Sequence, residues 1–241
     1  MSEPAVRAFV ALPLTDAAKR HLGGSQDGVR RHTGERTIRW VGADAMHLTL
    51  KFLGAVPFSK IDPMRSLLGR LAGNTAPISL HLGPLGMFPN PERPRVVWVG
   101  LTGDVGTLAA LAAAVDHGVA ALGFPAETRA FSPHITLGRV REGAPPSLAV
   151  DLQRAFAELT GKGQAVVVLV DRMVLFRSTL TPKGAVHDEL GSWQLGERSG
   201  SEPHDVTGGV DVDVHRSGTA PQPRHEGNVA TQRGDEPRPR E

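Results

Sequence analysis

The sequence predicts a mixed α+β fold built from a duplicated unit. Three observations carry this. Stretches of apolar alternation interleave with stretches of helical apolar spacing between about residues 5 and 195. Two short His-x-Thr stretches, at His47 and His134, start 87 residues apart, one in each half of the chain. The apolar pattern then stops at Trp193 and Leu195. Side chains repeat with period two on a strand and 3.6 on a helix, so the interleaving reads as alternating element types. Many of the strands are close enough in sequence to pair antiparallel.

Taken in order, Val6, Ala8, Val10 and Leu12 alternate as a strand, and Thr15 caps a following helix. Thr37–Val41 and Met46–Leu53 read as strands separated by a Gly-Ala-Asp turn. Asp62-Pro63 is a cap followed by a proline at the first helical position, opening a helix that buries Met64, Leu67, Leu68 and Leu71. Ile78–Leu82 and Arg95–Leu101 are expected as strands joined by the loop GPLGMFPNPERP. Thr107–Leu122 carries one apolar stripe, Leu108, Leu111, Val115, Val119 and Leu122. Ser132–Val140 is a strand, and Leu148, Leu152, Phe156 and Leu159 mark a last helix. Ala165–Val170, Arg172–Phe176 and Ser192–Leu195 close the series as strands.

Beyond residue 196 there is no Leu, Ile, Met or aromatic residue, so a polar tail over 197–241 is expected to be disordered, beside a folded domain over 1–196. The tail holds six arginines against nine acidic residues, a net of −3. The chain totals +2, so residues 1–196 carry +5, a balance that suits a polyanionic substrate. The absence of cysteine excludes disulfides, iron–sulfur clusters and thiol nucleophiles. Arg7 interrupts the short apolar run near the start, no stretch reaches the roughly 20 apolar residues of a membrane helix, and a cytoplasmic location with no membrane partner is expected.

Met46-His47-Leu48-Thr49-Leu50-Lys51-Phe52 alternates strictly. Period two puts Met46, Leu48, Leu50 and Phe52 on one face and His47, Thr49 and Lys51 on the other, Lys51 as a solvated charge. Pro133-His134-Ile135-Thr136-Leu137 repeats the device. One His-x-Thr on a strand is ordinary surface chemistry; two in matching phase and corresponding places are not. Opening a cyclic phosphodiester by water needs one base and one acid, and imidazole titrates near neutrality. Threonine hydroxyls on the same face can donate to the phosphate oxygens where charge builds. Among other residues, Trp98 is read as core packing ahead of a base-stacking platform, and Arg7 as a lesser candidate for phosphate contact. His21, His32, His81 and His117 lack a threonine partner, and the histidines after residue 196 are too scattered for a metal site.

The stretches RAFVALPL, IRWVGADAMHLTLKFLG, GPLGMFPNPERPRVVWVGL, FSPHITLGRV and MVLFRSTLTPKG run in order over about residues 5–195. In them the chain resembles the 2H phosphoesterases, specifically the RNA 2′,3′-cyclic phosphodiesterases, also called 2′-5′ RNA ligases. The resemblance implies a bilobal fold: two pseudo-symmetric lobes, each with a mainly antiparallel sheet and outer helices, around a central cleft. It implies hydrolysis of a terminal 2′,3′-cyclic phosphate to a 2′-phosphate without metal or cofactor, on RNA or oligonucleotide ends, by a monomer. By position, His47 is then the proton donor and His134 the proton acceptor. Thr49 and Thr136 hold the phosphate, and Arg139 adds charge to it. Under strict alternation Arg139 falls on the face away from His134, so it needs a bulge near Gly138. His187 stands where relatives often carry an aromatic residue. Rival readings are a hydrolase of other cyclic or 2′-5′-linked nucleotides, and an RNA-joining or RNA-end-binding protein.

Overall fold

The computed structural model describes residues 3–159, 166–181 and 184–196; the expected tail over 197–241 lies outside them. β1 (Ala5–Pro13) sends Ala8, Val10 and Leu12 into the core, in the expected phase. Thr15 caps α1 (Asp16–Thr33), its hydroxyl accepting from the Ala18 amide at 3.3 Å. Asp16 in the first turn and Arg30, Arg31 and His32 in the last complement the helix dipole, and Gly34 at φ 75 ends it. β2 (Ile38–Trp40) and a one-turn 3-10 segment, Ala43–Ala45, lead to β3 (His47–Pro57).

A second 3-10 turn feeds α2 (Ile61–Gly73), which buries Met64, Leu68 and Ala72. This helix begins one residue before Asp62, with Lys60 at the cap. Pro63 sits inside the first turn, where the missing N–H has no helical partner to lose. β4 runs over Ile78–Phe88, six residues further than the alternation suggested. Gly83 and Pro84 interrupt its pairing, and Leu85–Phe88 then pairs again with the following strand. Only residues 89–95 connect it to β5 (Val96–Gly103).

Asp104 caps α3 (Val105–Ala121), accepting from the Thr107 amide. β6 (His134–Val140), α4 (Leu148–Leu159), β7 (Val167–Val170), β8 (Arg172–Thr181) and β9 (Gly184–Gln194) complete the order. The short strand expected at Ser192–Leu195 is the end of β9, which pairs along the whole of β8. Asp188, Glu189, Gly191 and Ser192 interrupt its apolar alternation, so its signal in the sequence was thin.

The strands form one antiparallel sheet in the order β7-β4-β5-β6-β3-β1-β8-β9, with β2 alongside the far end of β6. The duplication is visible in it. β1-α1-β3-α2 and β5-α3-β6-α4 repeat one order, and in each the first strand pairs antiparallel with the His-x-Thr strand. The two halves of the sheet meet where β3 lies against β6, registered at Leu48 opposite Ile135, both fully buried. α1 packs on α4 and α2 on α3. Each contact uses a glycine: a Cβ at Gly28 would meet Leu159 at 2.8 Å, and one at Gly118 would meet Leu67 at 2.8 Å. No helix among the described residues is long and apolar enough to cross a membrane.

Candidate active site

The β3–β6 junction sets the geometry. Antiparallel register at Leu48 and Ile135 brings His47 to the level of Thr136 and His134 to the level of Thr49. All four lie on the face opposite the two buried aliphatics, because successive strand residues alternate. All four side chains are partly buried. Among the described residues neither threonine hydroxyl is in a hydrogen bond, so both are free to donate to a ligand.

Both histidine strands carry a bulge at the same place. On β6, Trp98 is opposite Thr136 but Val97 is opposite Gly138, so Leu137 is the extra residue. Arg139 therefore shares a face with Val96, Trp98, Thr136 and His134, which strict alternation denied it. On β3, Ala11 is opposite Thr49 but Val10 is opposite Lys51, so Leu50 is the extra residue. This bulge reverses two sequence readings. Lys51 turns inward, 8% exposed, donating to the Pro125 carbonyl at 2.8 Å and ion-paired with Asp116. Its hydrogen bond holds the Asp116 carboxyl below the usual carboxylate range. Phe52, expected in the core, is 63% exposed on the histidine face, at the position equivalent to Arg139.

Aromatic residues wrap each imidazole. Phe9, on the second phase of β1, stacks on His47 with centroids 4.7 Å apart and on Phe176 at 5.3 Å. His187 meets His47 edge-on at 5.4 Å and Phe9 at 4.9 Å. In the other half, Phe88 meets His134 edge-on at 5.0 Å and stacks on Trp98 at 4.9 Å. Trp98 is partly buried on this face and not a core residue, 6.2 Å from His134. Gly86 makes room for it: a Cβ there would run into the indole. Phe9, Phe88 and Phe176 were not singled out in the sequence. For Phe9 the signal was present, since it occupies the phase of β1 that the aliphatic alternation leaves over. Arg7 is exposed on that same phase.

The two imidazoles sit in different surroundings. Each hydrogen-bonds the backbone two residues earlier: His134 Nδ1 lies 2.7 Å from the Ser132 carbonyl oxygen, and His47 is bonded to Ala45. Nδ1 donates to the Ser132 carbonyl, which leaves Nε2 as the ring nitrogen not engaged in this bond. Burial pushes the His47 imidazolium down to about 4, the neighbouring His187 pushes the same way, and the Ala45 bond opposes both. Burial also lowers His187, against the pull of Asp188. Among the described residues no group of three or more His, Cys, Asp or Glu is placed to hold a metal.

A duplicated α+β body with two His-x-Thr strands side by side at the centre of its sheet defines a two-histidine phosphoesterase. The chain belongs to the LigT-like phosphoesterase family, whose model matches residues 12–98 and again residues 99–187, one match to each half. It is 34% identical over 177 residues to an RNA 2′,3′-cyclic phosphodiesterase of Geobacillus stearothermophilus, which covers 73% of this chain and 54% of that protein. It is 31% identical over 193 residues to an RNA 2′,3′-cyclic phosphodiesterase of Methanothermobacter thermautotrophicus, covering 79% of this chain and 99% of the relative. Among solved structures it resembles a protein of Thermus thermophilus, with 31% identity, a TM-score of 0.62 and coverage of 79% and 98% of the two chains. It also resembles E. coli LigT complexed with 3′-AMP, with 26% identity, a TM-score of 0.59 and coverage of 80% and 99%.

Proposed function

We propose that this chain hydrolyses the 2′,3′-cyclic phosphate at an RNA end to a 2′-phosphate and a free 3′-hydroxyl, using His134 as base and His47 as acid. One observation carries the reading: β3 and β6 are neighbours in register, so two imidazoles and two unpartnered threonine hydroxyls share one face. The names of the relatives supply the substrate class.

In this mechanism Thr49 and Thr136 donate to the non-bridging phosphate oxygens, where charge builds in the transition state. Nε2 of His134 removes a proton from water, and the oxygen of that water bonds to phosphorus. The P–O3′ bond breaks, and His47 passes its proton to the departing 3′ oxygen. Arg139 adds positive field from the same face. His47 is neutral in the free protein at neutral pH, because its imidazolium is so disfavoured. The substrate anion supplies the missing partner: an opposite charge a few ångströms away favours the charged imidazole, so His47 takes up its proton as the phosphate arrives.

The test is hydrolysis of a short oligoribonucleotide ending in 2′,3′-cyclic phosphate, with the product located by sensitivity to a 2′-specific or 3′-specific phosphatase. A 2′-phosphate product formed undiminished in EDTA is expected. A 3′-phosphate product, or loss of turnover on chelation that metal restores, would overturn the assignment.

A further inference from the structure

β2 takes no part in the chemistry above, yet its middle residue reaches the same face. Arg39 is opposite Arg139 across the β2–β6 pair, and Arg139 is opposite Val96, two residues before Trp98. Cross-strand partners point the same way, so Arg39 and Arg139 stand side by side on the face that holds Thr136 and His134. Ile38 and Trp40 flank Arg39 and pack inward against Gly138, where a Cβ would meet Ile38 at 2.5 Å and Trp40 at 3.1 Å. That packing fixes the direction in which Arg39 points.

Both guanidinium groups are exposed, and among the described residues neither makes an ion pair or a hydrogen bond. Like charges directly opposite on adjacent strands repel each other. Among the described residues no carboxylate is paired with either arginine, whereas an anion lying between the two would relieve the repulsion. Arg95 and Arg141 lie at the same strand ends, where the Val140 amide donates to the Arg95 carbonyl and the Arg141 amide to the Thr37 carbonyl. Glu92 and Glu142 line the hollow beyond them together with Arg93, Arg95 and Arg141, and neither Arg39 nor Arg139 is part of that lining.

Position along the strand decides which anion fits. Arg139 is opposite Val96 where Thr136 is opposite Trp98, two residues along β5 because Leu137 bulges out of the ladder, about 7 Å along the strand. A phosphate held by the Thr136 and Thr49 hydroxyls is therefore not the one both arginines grip. The planar forks of two arginines suit a phosphodiester lying between them. We propose that Arg39 and Arg139 clamp the backbone phosphate on the 5′ side of the terminal nucleotide, so that the site prefers an oligonucleotide end to a mononucleotide. This rests on the cyclic phosphodiesterase reading.

Steady-state kinetics of the full chain test it on two substrates, a short oligoribonucleotide with a 2′,3′-cyclic phosphate end and a nucleoside 2′,3′-cyclic phosphate with the same terminal base. Arg39→Gln should lower kcat/KM on the oligonucleotide roughly tenfold through KM, since a charge-assisted contact is lost. On the mononucleotide the change should stay within about twofold, as expected for a contact that this substrate does not make. The slope of log kcat/KM against log salt on the oligonucleotide should shrink by about 0.7, the value for one phosphate contact on a single strand. Arg70→Gln, which removes the same charge from the outer helix α2, serves as the control and should alter neither substrate. Equal losses on both substrates, or none on either, would overturn the clamp. If the unmodified protein opens neither substrate, the cyclic phosphodiesterase reading fails and the clamp is judged separately. Fluorescence anisotropy of a short single strand ending in a 3′-phosphate should then still show weaker, less salt-sensitive binding to Arg39→Gln, and unchanged binding would overturn it.

Discussion

At the scale of single residues, His47 and His134 are both partly buried on one face, and the proposed roles assign the acid to the first and the base to the second. Replacing either with alanine should reduce kcat at least about 10²-fold while circular dichroism stays unchanged. Loss of only a few-fold would remove that histidine from the proton transfers. The depressed His47 value gives two further expectations. In the free protein the neutral ring is favoured, and a bound phosphate favours the charged one, so the alkaline limb should lie at higher pH in kcat than in kcat/KM. Coincident limbs would mean that the acid is not His47. For stability the sign runs the other way. The folded value near 4 lies below the unfolded value of about 6.5. The unfolded chain therefore binds more protons between these limits, and stability should fall as pH drops from about 6.5 towards 4. Denaturant midpoints should show that loss in the parent and less of it in His47→Gln.

At the scale of elements, the twin bulges do what the His-x-Thr spacing alone cannot. Each inserts one residue three places after the histidine, Leu50 or Leu137, and so exchanges the faces of the residues beyond it on the strand. Phe52 and Arg139 reach the site by this route, and Lys51 leaves it to join β3 to α3 through Asp116. Lys51→Met strands a carboxylate that is 21% exposed, and should cost about 1–3 kcal/mol in unfolding experiments, in the range for a partly buried charge left alone. The glycines are the other element-scale device. Gly86→Ala drives a methyl into the Trp98 indole, and that ring with Phe88 supports His134. A loss of about 1–3 kcal/mol in stability is expected, with a fall in kcat measured at a temperature where the variant remains folded. Full activity there would show that the indole does not position His134.

At the scale of the whole molecule, the site depends on two halves meeting at one strand pair. Leu48 and Ile135 are fully buried at that seam. Leu48→Ala should destabilise by about 2–5 kcal/mol, and it should also lower activity in the folded fraction, because the seam sets the spacing of the imidazoles. Among the described residues the buried core lies between Ala8 and Leu195. A chain ending at Gly196 should therefore retain the activity and thermal midpoint of the full chain. A lower midpoint would show that residues after 196 contribute to the fold.

The element types, the duplication and the identity of the two histidine strands were legible in the residues alone, because these depend on local periodicity. The phase of β1, the Thr15 cap and the apolar stripe of α3 stand where alternation and helical spacing put them. The need for a bulge before Arg139 was legible too. It took the folded chain to establish that β3 and β6 are neighbours, that Phe9, Phe88, Phe176 and His187 surround the imidazoles, and that Lys51 and Phe52 exchange faces. The difference is one of range. Periodicity reports which side of its own strand a residue takes, whereas bulges, register and ring packing arise from a partner strand tens of residues away, and the pairing of Arg39 with Arg139 belongs to that second kind.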